Sequence, residues 1–184
     1  IIAEFSNGNY DRYISFARMG DGSLGGKARG LAFLNRLIEK HSLTDRYENI
    51  SISIPRSIVI STEYFDEFIL DNGLQYVIDS ELSDDEILSE FVASRLPEGL
   101  ISGLKTYLKT VDTPLAVRSS SKLEDSNYQP FAGVYSTYMI PHVDNKDMML
   151  RILDKAIKSV YASVFYNGSR TYIQTTGNLQ SEEK

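Results

Sequence analysis

Apolar positions along the chain fall into blocks of helical period and blocks of strand period. Leu31, Leu34 and Ile38 recur at helical spacing, with Arg29, Arg36, Glu39 and Lys40 mostly opposite them. That predicts an amphipathic helix over 26–40 covering a sheet. Residues 13–16 form a candidate short strand ahead of it. β-Branched runs at 51–55 and 58–61, split by Pro55, predict strand, turn, strand. A helix opens at Thr62-Glu63 with Phe65, Phe68 and Ile69 as its buried stripe, and Asn72-Gly73 ends it. Ser83-Asp84-Asp85-Glu86 reads as a capping box ahead of Ile87, Phe91 and Val92. Pro97 suits the first turn of the next helix, which carries Leu100, Ile101, Leu104 and Leu108. This helical pair is expected to be structural. Residues 114–117 predict a buried strand and 135–140 alternate as another. Asp144 is expected to cap a long helix with Met149, Leu153, Ala156, Val160 and Val164 on one side. The final stretch TTGNLQSEEK, after Gln174, is polar and expected to fray.

Composition narrows the function classes. The 184 residues suffice for one domain with a real core, and 42% hydrophobic with 24% charged residues is ordinary for a globular protein. A net charge of −6 argues against nucleic acid or an anionic membrane as partner, since either would want a basic face. Any phosphate site must then be a local basic pocket. With no cysteine, a disulfide framework and cysteine metal sites are excluded. No apolar run reaches membrane-spanning length and no secretory signal is present, so the sequons at Asn49 and Asn167 are read as chance in an intracellular protein. The chain opens Ile1-Ile2 without methionine, which suggests a piece of something longer.

Two stretches hold the candidate chemistry. PLAVRSSSKLEDSNYQPFAGVYST, over 114–137, delivers Arg118 from a strand into a serine-rich loop. The guanidinium fork fits phosphate oxygens and stays charged, and Gly133 would let backbone approach a ligand closely. The plainer reading is a strand, a surface loop and a hairpin partner, with Arg118 paired to Glu124 or Asp125. The second stretch is GDGSLGGKARG. Gly20, Gly22 and Gly25 fit the dinucleotide fingerprint, although a lone match is weak. A Walker A loop fails, because Asp21 replaces its first glycine and Ala28 follows the lysine. A flexible turn with a solvated lysine is the alternative. Ser119-x-x-Lys122 fits an acyl-enzyme motif, yet its S-D-N and K-T-G companions are absent.

VRSSSKLEDSNYQPFAGVYST resembles the signature of the N-terminal nucleotide-binding domain of the phosphoenolpyruvate synthase and pyruvate phosphate dikinase family. Gly25-Gly26-Lys27-Ala28 is similar to the G-G-K-A that opens a helix in that family. Ala162-Ser163-Val164-Phe165, followed by Arg170 and Tyr172, is a looser third match. The matches come in order and cover most of the chain from about Gly22. Ser121 stands where alanine is usual and Val134 replaces a common glutamine, so the fine shape of the loop is expected to differ.

The resemblance implies an α+β fold: the N-terminal part of an ATP-grasp-like domain, a mixed β-sheet flanked by helices with a helical segment around 83–110. Residues 1–19 would be a lead-in, 20–175 the nucleotide-binding portion and 176–184 a polar tail. Lys27 would reach phosphate oxygens from a helix N-terminus, Arg118 would neutralise the transferring phosphoryl group, Gly133 would lie against the phosphates, and Thr137 could contribute a hydroxyl or backbone contact. Glu124 and Asp125 are weighted toward loop hydrogen bonds and pairing with Arg118. The implied ligands are ATP and Mg²⁺, with the metal ligands outside this chain. The implied activity is a cytoplasmic ATP-dependent phosphotransferase. It moves a phosphoryl group to a histidine on another domain and then to an acceptor such as pyruvate. His41 and His142 do not resemble that acceptor motif and are expected at the surface. The second ATP-grasp half, the phosphohistidine domain and the acceptor-binding domain would be partners in a parent polypeptide, and the fragment alone would be inactive. A regulatory or interaction module that keeps the fold, or a glucan- or rifamycin-phosphorylating relative, is the alternative.

Overall fold

Helices form where apolar periodicity and end signals coincide. In the computed structural model, which describes residues 3–5, 16–77, 80–120 and 136–176, α1 (Gly25–Lys40) follows two short strands, β1 (Ala3–Glu4) and β2 (Phe16–Met19). Next come β3 (Ser57–Ile60), α2 (Thr62–Asp71) and a tight 3-10 turn at Leu74–Val77. Asn72 ends α2, and Gly73 turns the chain at a φ of +62°, as a glycine after a helix end does. α3 (Asp84–Ala93) starts with the expected capping box, Ser83 and Glu86 each bonding the other's backbone. α4 (Glu98–Leu108) follows Pro97 at its N-cap. A β-pair, β4 (Leu115–Arg118) and β5 (Thr137–Ile140), precedes α5 (Lys146–Ser163) and α6 (Asn167–Thr176).

The α+β class holds, with parallel and antiparallel pairing in two separate sheets among the described residues. β1, β2 and β3 form a parallel sheet in that order, with Ala17 opposite Ile58. β4 and β5 are antiparallel, with Leu115 opposite Ile140 and Arg118 opposite Thr137. Helices α2 to α5 enclose the main core. Phe68, Ile87, Phe91 and Leu100 are fully buried there, and α5 packs on both α3 and α4. The ring of Phe91 stands 5.6 Å from Phe68 and 5.5 Å from Phe165, and Tyr161 lies 4.9 Å from Phe65. The 83–110 helices therefore contribute Ile87, Phe91, Leu100, Leu104 and Leu108 to the core.

Several expectations need correction. Residues 51–55 are not a strand: Ile52 donates to the Thr44 carbonyl at 2.9 Å, and Pro55 has no amide to give a ladder. Ser61 is the N-cap of α2, not the end of β3. β4 is only half buried, with Leu115 and Val117 against the core while Ala116 and Arg118 face out. The cap of α5 is Asn145, whose side chain accepts from the Met148 amide at 3.0 Å; Asp144 instead faces His142. α6 runs through Thr176, two residues into the stretch expected to fray. α1 does not cover its sheet along its length. Only Gly25 and Ala28 are buried, and Phe33 is 62% exposed. A four-residue strand spans about 13 Å and a sixteen-residue helix about 24 Å, so the helix overhangs.

Candidate functional site

The loop between β2 and α1 is held from two sides. On one side lies the start of α2. The Ser61 amide donates to the Met19 carbonyl at 3.0 Å, and Ser23 and Thr62 exchange bonds, each at 3.0 Å. The Glu63 carboxylate accepts from the Asp21 amide at 2.7 Å. The loop sits so close to α2 that a Cβ on Gly22 would meet the Glu63 amide nitrogen at 2.6 Å. Part of the glycine content is thus packing, which the fingerprint G-x-G-x-x-G does not anticipate. Burial first, then the carboxylates of Glu63, Glu67 and Asp21, pushes the nearby Tyr64 phenol up.

On the other side is the strand that ends in Arg118. Ser120, two residues past β4, places its hydroxyl between the Leu24 carbonyl, to which it donates at 2.9 Å, and the Ala28 amide, from which it accepts at 2.9 Å. Gly25, at φ +72°, has the Ser120 carbonyl oxygen only 1.2 Å from where a Cβ would stand. No other residue type fits there. Since two residues of extended chain span about 7 Å at most, the Arg118 backbone ends beside the first turn of α1. That turn has no acidic residue, and Leu24 gives it no side-chain cap. Its amide end and dipole therefore carry a partial positive charge with no carboxylate in the turn to offset it.

Lys27 sits half-buried in this first turn, and Arg118 is exposed at the end of β4. The β4–β5 register sets Thr137 directly across from Arg118, both on the outward face with Ala116 and Met139. Three of the four expected site residues thus lie on elements that meet. Gly133 lies outside the described residues, as do Ser121, Glu124, Asp125 and Val134. His41 is exposed. His142 is less open than expected, with its Nε2 3.2 Å from the Asp144 carboxylate and its Nδ1 buried without a partner among the described residues. Among the described residues, no three Asp, Glu or His side chains cluster as a metal site, and no helix is long and apolar enough to cross a membrane.

Ser120, Thr62 and Glu63 escaped the sequence reading as site residues. Thr62-Glu63 showed only as a helix opening, and nothing local marks Ser120 as a partner of α1. Arg170 proves to be a clamp: its two terminal nitrogens donate to the Val77 and Ser80 carbonyls, tying α6 to the turn after α2.

Residues 21–184 match the family model described as "Pyruvate phosphate dikinase, AMP/ATP-binding domain". No curated protein and no solved structure matches significantly.

Proposed function

Because this chain belongs to the pyruvate phosphate dikinase AMP/ATP-binding domain family, we propose that it supplies one wall of an ATP cleft, with Lys27 and Arg118 taking the phosphate tail. The observation that carries this reading is the junction at Ser120, which brings the strand end bearing Arg118 against the helix start bearing Lys27. Lys27 offers a compact charge beside the amide end of α1, and Arg118 offers two donors at fixed angle to adjacent oxygens. Thr137, across the ladder from Arg118, would add a hydroxyl or backbone contact, and Gly133 would leave room for the phosphates to approach backbone.

Neither cation is a nucleophile, so their work is to bind, orient and neutralise. As a phosphoryl group transfers from ATP, charge spreads over its oxygens, and donors already aimed at it would lower the barrier. The acceptor would be a histidine on another domain, passing the group on to a substrate such as pyruvate. No step is assigned to Mg²⁺, whose ligands are expected outside this chain. The nucleotide-binding portion is taken as 20–175, in a cytoplasmic phosphotransferase with a second cleft wall and separate phosphohistidine and acceptor domains. The open outer face of the β4–β5 pair supports a second wall, since Met139 there is 73% exposed. A one-walled site leaves the phosphates in water, where charge pairing is weak. The isolated chain should therefore bind ATP weakly and transfer nothing.

Calorimetric titration of ATP into the full protein tests the assignment. Arg118→Ala and Lys27→Ala should each lose roughly 1.5–3 kcal/mol, about a 10- to 150-fold weakening. Unchanged affinity in both variants would overturn it.

A further inference from the structure

We propose that Ser120 is a positioning residue of this nucleotide site: its hydroxyl fixes the end of β4 to the start of α1 and thereby sets the separation of Lys27 and Arg118. The inference rests on the reading of those two cations given above. One hydroxyl uses its proton on the Leu24 carbonyl and a lone pair on the Ala28 amide, each at 2.9 Å. Both partners are backbone, 96 and 92 residues away in sequence, so the contact locates main chain against main chain. Lys27 lies between the two bonded groups, and Arg118 lies two residues before the hydroxyl. The close approach of the Ser120 carbonyl to Gly25 adds a steric stop to the same joint.

The chemistry of the residue matters as much as its place. Helix starts are commonly capped by Asp, Asn, Ser or Thr from the preceding residue. Leu24 provides no such cap. An aspartate reaching in from the β4 loop would satisfy the same amide, but its charge would cancel the field that favours a phosphate. A hydroxyl restrains the turn and adds no charge. Lysine and arginine side chains are rotamer-rich, so an anion benefits from both only if their backbones are held at matching positions beforehand.

Inorganic tripolyphosphate is the probe, because it tests the phosphate wall without an adenine or a second domain. NMR titration of the full chain follows its affinity, and hydrogen exchange follows the Ala28 amide. Ser120→Ala should weaken tripolyphosphate about tenfold, speed Ala28 exchange and, through loss of both bonds, lower the melting temperature by roughly a few degrees. Ser120→Thr, which keeps the hydroxyl, should restore all three. In the unmodified chain, tripolyphosphate should slow Ala28 exchange, because coupling between the joint and the ligand is reciprocal. That measurement stands even where the alanine variant folds poorly. Wild-type affinity in Ser120→Ala, failure of threonine to rescue, or Ala28 exchange indifferent to the ligand would each overturn the proposal. Lys27→Ala and Arg118→Ala are run beside it. If they weaken binding while Ser120→Ala does not, only the positioning role falls; if neither does, the site reading falls with it.

Discussion

A methyl group added at Gly25 would stand 1.2 Å from the Ser120 carbonyl oxygen, so Gly25→Ala forces the two backbones apart. Restoring even a tight contact near 3.2 Å means a shift of about 2 Å, more than side-chain adjustment can absorb because the obstacle is main chain. A residue with a Cβ held at φ +72° costs roughly 1–2 kcal/mol on its own. A shift that size also breaks both bonds of the Ser120 hydroxyl, worth about 0.5–1.5 kcal/mol each. Together the loss is about 2–5 kcal/mol, a large share of the 5–15 kcal/mol typical of a domain. Urea unfolding measures it as a lower midpoint with an unchanged slope. Backbone chemical shifts should move around residues 24–28 and 118–120 and stay put in α3 and α5. A Gly25→Ala variant with wild-type midpoint and unmoved shifts at residue 120 would show that α1 and the β4 end are not in contact, and the reasoning about the site would fail with it.

Three further outcomes follow from the core and its clamps. Phe91→Ala empties a site enclosed by Phe68 and Phe165 and should destabilise by about 3–5 kcal/mol in chemical denaturation. Arg170→Ala leaves the Val77 and Ser80 carbonyls without their charged donor and should cost about 2–3 kcal/mol, with faster proteolytic cleavage near residues 74–83. At high pH the tyrosines report: burial first, then Tyr138, Asp84 and Asp85, pushes Tyr166 up to about 12, and burial pushes Tyr161 up as well. Their protonated forms favour the fold, so that contribution is complete below pH 10 and is lost as pH rises toward 12. Phenolate absorbance should show these two ionising late or together with unfolding; ordinary titration near pH 10 with the fold intact would contradict it.

Local signals account for much of the fold. The Ser83 capping box, the Phe68–Ile69 stripe and the Met149–Leu153–Ala156 face are each written within a few turns of helix, and each forms as expected. What escaped depends on partners the sequence cannot show. The 51–55 run has the right β-branched residues but finds no ladder, and β4 lies over α5 on one face only. At the candidate site, Arg118 was legible from its place at a strand end before a serine-rich loop, while Lys27 and Thr137 came from motif resemblance. The glycines of the 20–25 loop were legible as unusual, although their reason was not: Gly22 makes room for α2 and Gly25 for Ser120. Ser120 itself was one hydroxyl among three, and its partners lie nearly a hundred residues away.

Met19 has a foot in each half of the molecule. Its side chain is sunk among the helices, with its sulfur 3.1 Å from where a Cβ on Gly103 would stand, while its carbonyl anchors Ser61 and its successor is Gly20. A single thioether thus joins α4 to the residue that leads into the glycine segment. A substitution at Gly103 is therefore expected to disturb residues 19–25 as well as α4, read as backbone chemical-shift changes in both segments.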